Sequence, residues 1–116
     1  MEHILLLSSI AITDEQFRAL LAKVGLEPCT KSHQWFDATW TRSNAQIWVA
    51  LDNGQLEDID PDDPEILRRL GGPPRSLVSI ELANIPESRH LALEFASLIA
   101  ERWPAIVVNT SEKPTS

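Results

Sequence analysis

With 116 residues, 43% of them apolar and 23% charged, the chain has the length and composition of one globular domain, able to bury roughly 65% of the surface its unfolded form exposes. Seventeen acidic against ten basic residues leave a formal charge of -7, which argues against direct contact with nucleic acid, whose phosphates it would repel, and fits a cationic partner. The single cysteine, Cys29, excludes an intrachain disulfide and sets the expectation of a reducing compartment, the cytoplasm.

The chain opens with Glu2 and His3 before a short apolar run, residues 4–7. No basic segment precedes the run and no small-residue cleavage site follows it, so it does not read as a secretory leader. It is also far too short to cross a bilayer. It fits a strand over residues 3–9, apolar on both faces and therefore central in a sheet. Thr13 then supplies an N-cap, with Asp14 and Glu15 in the first turn. Phe17, Leu20, Leu21 and Val24 recur at helical spacing, and Gly25 provides the stop.

Two strands follow, over residues 34–42 and 45–52, linked tightly enough for a hairpin. Alternation places Phe36, Ala38 and Trp40 on one face, and Trp35, Asp37, Thr39 and Thr41 on the other. In the second strand Ala45, Ile47, Val49 and Leu51 form an apolar face, and Trp48 points away from it. Asp52, Asn53 and Gly54 bring turn chemistry. A short helix over residues 64–70 begins with Pro64 after Asp60 or Asp63 as cap, and ends at Gly71-Gly72-Pro73-Pro74.

Residues 75–83 read as a strand, with Leu77, Ser79 and Glu81 opposite Val78, Ile80 and Leu82. Pro86 opens a longer helix to Trp103, with a stripe of Leu91, Phe95, Leu98, Ile99 and Trp103. Residues 105–109 form a last strand, and a flexible tail is expected from there, leaving one domain over residues 1–110 and a tail at 111–116. The expected architecture is a two-layer α+β sandwich, its sheet mainly antiparallel and its main helices on one face. With the short helix treated as an insertion, the order β-α-β-β-α-β-α-β is related to the ferredoxin-like pattern.

The densest charge lies between positions 57 and 65, where six of nine residues are carboxylates: Glu57, Asp58, Asp60, Asp62, Asp63 and Glu65. Such a field must be solvated, neutralised by a cation, or offered to a basic partner. A calcium loop would need Gly at its sixth position and Glu at its twelfth; counted from Asp58, those places hold Asp63 and Arg69. A helix macrodipole accounts for Asp62, Asp63 and Glu65, but not for Glu57, Asp58 and Asp60. A solvated loop before a charged helix start is one reading of the segment, and a docking surface that selects basic side chains is the other. Trp48 and Trp35, on the face away from the main helices, are candidate apolar anchors for the same partner.

Catalytic patterns find no foothold. Cys29 and His33 lack further ligands or a third catalytic group, Ser8 and Ser9 lack a glycine elbow, and Gly71-Gly72 lacks the Lys and hydroxyl of a phosphate loop. A hydrolase built from carboxylates with His33 or His90 would need a pocket that spacing does not reveal. The expectation is a non-enzyme without metal or cofactor.

A small acidic α+β chain of this kind resembles the bacterial immunity proteins that neutralise polymorphic and contact-dependent inhibition toxins. The stretches in that style are Thr13-Asp14-Glu15-Gln16-Phe17 leading to Val24-Gly25-Leu26-Glu27-Pro28, and residues 98–108, a helix entering a strand through Trp103-Pro104. The resemblance implies a one-to-one complex with a cognate toxin, often a nuclease whose basic active site is blocked by carboxylates in place of phosphate. A different class, a ferredoxin-like ligand-binding or regulatory module that forms a homodimer through its open sheet face, gives the acids no partner role.

Overall fold

A computed structural model describes residues 2–28, 37–60 and 62–108. The elements run β1 (Glu2–Ser8), α1 (Asp14–Val24), β2 (Glu27–Pro28), β3 (Ala38–Arg42), β4 (Ala45–Leu51), a 3-10 helix (Asn53–Asp58), α2 (Pro64–Leu70), β5 (Ser76–Leu82), α3 (Pro86–Arg102) and β6 (Ala105–Val108). The strands form one six-stranded sheet in the order β2-β3-β4-β5-β1-β6. Every neighbouring pair is antiparallel. The expected element order is present, with the two-residue β2 added at one margin.

β1 shows why a strand can be apolar throughout. Its Ile4 and Leu6 enter the cluster under the main helices, while Leu5 and Leu7 enter a second cluster on the opposite face. Placed between β5 and β6, it has backbone partners on both sides as well. Each leucine buried this fully contributes roughly 1.5–3 kcal/mol. Nothing polar would survive in its middle.

The first face carries the main core. Phe17, Leu20 and Leu21 of α1 and Leu91, Ala92, Phe95, Ala96 and Ile99 of α3 pack onto Ile47, Val49, Val78, Ile80 and Leu82 of the sheet. The register sets those strand residues side by side, Ile47 opposite Leu82 and Val49 opposite Ile80. α1 starts as its sequence demands: the Thr13 hydroxyl accepts from Gln16 N–H, and the Gln16 side chain accepts from Thr13 N–H. This reciprocal pair satisfies two otherwise unmatched donors. Gly25, at φ 98°, closes the helix in the left-handed conformation that a side chain resists.

Three buried serines tie the loops to this frame. The Ser8 hydroxyl donates to the Pro104 carbonyl at 2.7 Å. Those of Ser76 and Ser88 accept from Ile12 N–H and Gln46 N–H at 2.7 Å and 3.0 Å. The β3–β4 hairpin pairs Arg42 with Ala45 across Ser43 and Asn44, and Ser43 takes a positive φ of 55° to make the turn.

The short helix is more than an insertion. Leu56 and Ile59, with Ile66 and Leu70 of α2, cover Leu5, Leu7 and Leu77 on the second face, together with Ile106 and Val108. That cluster includes no residue of β3 or β4. At the β6 margin, the Arg69 guanidinium donates to the Val107 carbonyl at 3.4 Å.

Boundaries moved where packing or hydrogen bonding overrode pattern. Asp37 is a bend and β3 begins at Ala38; residues 34–36 of that expected strand lie outside the described residues. Asn53 and Gly54 start a 3-10 helix rather than an open turn, so Glu57 and Asp58 sit on a helical turn. Trp103 caps α3 with an extended backbone (φ -135°), buried but past the last helical residue. Asn109 and the expected tail lie outside the described residues. No described helix is long and apolar enough to cross a membrane.

Candidate functional site

The acidic segment is fastened to the sheet at its start. Asp52 N–H donates to the Leu77 carbonyl at 2.8 Å, and Leu77 N–H donates to the Asn53 side chain at 3.0 Å. From there apolar and acidic residues divide the surface between them. Leu56, Ile59 and Ile66 turn to the second cluster, whereas Glu57, Asp60, Asp62 and Glu65 are exposed. Burial of three aliphatic side chains thereby fixes the carboxylates on an outward rim.

Two of the acids have local structural work. Asp60 Oδ1 accepts from Asp62 N–H at 2.9 Å, an Asx turn that leads the chain into α2. Asp63 is the N-cap of α2, accepting from Glu65 N–H at 2.9 Å and Ile66 N–H at 3.4 Å, with Pro64 immediately after it. Of the two caps the sequence offered, Asp63 is therefore the one used. Its side chain satisfies donors the first helical turn cannot pair.

The carboxylates of Glu57, Asp62 and Glu65 make no hydrogen bond or ion pair among the described residues, and Asp60 and Asp63 have no cation partner there either. The described ion pairs lie elsewhere, His3 with Glu81 and Arg42 with Glu94. Asp58 is the last residue of the 3-10 helix. Basic residues enter only in the last turn of α2, as Arg68 and Arg69. Among the described residues no three His, Cys, Asp or Glu side chains are placed to hold a metal ion. Asp60 at the turn and Asp63 at the helix start direct oxygens at backbone amides.

Trp48 lies on the second sheet face, half-buried, between Thr39 of β3 and Glu81 of β5. Glu81 stands opposite His3 of β1 in turn, their side chains 3.2 Å apart. A polar row therefore crosses four strands with the indole in it, beyond the apolar patch under α2. Trp35, Cys29 and His33 lie outside the described residues.

Two of the depressions on the first face adjoin α3. A groove of about 580 Å³ separates α1 from α3, lined by Leu20, Lys23, Val24, Trp40, Leu98 and Arg102. A cleft of about 440 Å³ lies between the hairpin and the start of α3, with Arg42, Ser43, Glu87, His90 and Glu94 on its walls. Between them Arg42 donates to both Glu94 oxygens at 2.9 Å. These hydrogen bonds hold the Glu94 carboxyl below its ordinary range and push the Arg42 guanidinium up. The same guanidinium sits 4.9 Å from the centre of the Trp40 ring, which meets Phe95 edge-on at 6.3 Å. No sequence signal announces this bridge, because its partners are 52 residues apart and meet only through the fold.

His90 thus shares a cleft with carboxylates, but Glu94 is committed to Arg42. Ser8 is buried with its hydroxyl bonded to Pro104. Neither arrangement presents a nucleophile beside a base. Compared with known protein families, characterised proteins and solved structures, the chain matches none.

Proposed function

We propose that the protein is a cytoplasmic immunity protein, a non-enzymatic binder that neutralises a basic bacterial toxin domain, a nuclease by preference, in a one-to-one complex. The observation that carries this reading is the rim of Glu57, Asp60, Asp62 and Glu65, without a cation partner among the described residues and held outward by half-buried Leu56, Ile59 and Ile66. A nuclease site holds phosphate with Lys and Arg, and a fixed row of carboxylates is complementary to it. Asp58 and Asp63 add charge to the same segment. Trp48 on the second sheet face supplies the apolar anchor, and Trp35, outside the described residues, is the other candidate for that role.

Capture of the tagged protein from its native host, with mass spectrometry of what is recovered, tests the reading. A dominant basic protein at near-equal stoichiometry supports it; recovery of the chain alone overturns it. With the partner in hand, Glu57→Lys, Asp62→Lys and Glu65→Lys combined should slow association by about tenfold or more and weaken its salt dependence. These positions leave the accepting side chains of the Asp60 turn and the Asp63 cap in place, and the lysine at position 65 should cost at most about 1 kcal/mol against the helix dipole. Wild-type association by this variant would remove the acidic rim from the interface.

A second reading, a homodimer through the second sheet face, draws on the same half-buried Trp48 and on a cluster that stops short of β3 and β4. It predicts a concentration-dependent mass in light scattering and no effect of the acidic reversals.

A further inference from the structure

We draw no further inference here: the strongest candidate, the groove between α1 and α3 floored by Trp40 and rimmed by Lys23, Glu101 and Arg102, carries charges of both signs, and nothing in the structure shows what covers it.

Discussion

The two faces of the sheet are built on different terms. Under α1 and α3 the inward positions of β4 and β5 are apolar except the buried Ser76, whose hydroxyl accepts from Ile12 N–H, and the cluster includes residues from Ile4 to Trp103. On the opposite face only the end beneath the 3-10 helix and α2 is apolar, and the rest of β3, β4 and β5 carries Thr39, Gln46, Trp48, Ser79 and Glu81. One face stores the stability. The other packs only one end under α2 and sets the acidic rim along that end.

That division can be broken or sharpened by substitution. Phe95 is fully buried on the first face, and Phe95→Ala should lower stability by about 3–5 kcal/mol in urea denaturation. Ile66, half-buried at the edge of the second cluster, should cost only roughly 1 kcal/mol when changed to Ala. Equal losses would mean that α2 belongs to one continuous core and that the two faces are not separable.

The acids should divide in the same way into structural and free. Asp63→Ala removes the α2 cap and should cost about 1 kcal/mol, while Asp63→Asn keeps an accepting oxygen and should cost a fraction of that. Asp62→Ala should stay within about 0.5 kcal/mol of the parent. A large loss at Asp62 would give it a role in the fold and set it apart from the exposed acids Glu57 and Glu65.

The smallest effect belongs to Glu94, on the exposed flank of the first face. Since Arg42 holds its carboxyl below the usual value of 4.5, the folded chain binds this proton more weakly than the unfolded chain does. The bridge therefore contributes fully above the ordinary carboxylate range and is lost as pH falls through the lowered value. Glu94→Gln should flatten that part of the acid limb of stability. About 1 M salt should reduce the difference further, because both groups are exposed and easily screened.

Much of the frame was readable from local pattern. α1 declared itself through Thr13, its apolar spacing and Gly25; β5 through strict alternation; β1 through its unbroken apolar run. These features have short-range causes. The role of the short helix was not readable, because Leu56, Ile59 and Ile66 are separated by acids and prolines and show their common direction only when β1 and β5 lie beneath them. In the candidate site, the exposure of Glu57, Asp62 and Glu65 agreed with their composition. The sharing of Asp60 and Asp63 with backbone amides depended on turn geometry that charge alone does not report. Trp48 was placed correctly by a period of two. The Arg42–Glu94 bridge joins a hairpin end to a helix and had no local trace at all.

One consequence follows from how the sheet ends. At one margin β2 is only two residues long and includes Pro28, which has no N–H to offer. At the other, Arg69 occupies the Val107 carbonyl and places a charge beside the strand. Unpaired strand margins are the templates on which chains stack into fibrils, and short length, proline and fixed charge are the usual deterrents. A chain with an apolar central strand as continuous as β1 carries the raw material for such stacking. Its two margins disfavour that stacking and keep the material inside a single molecule.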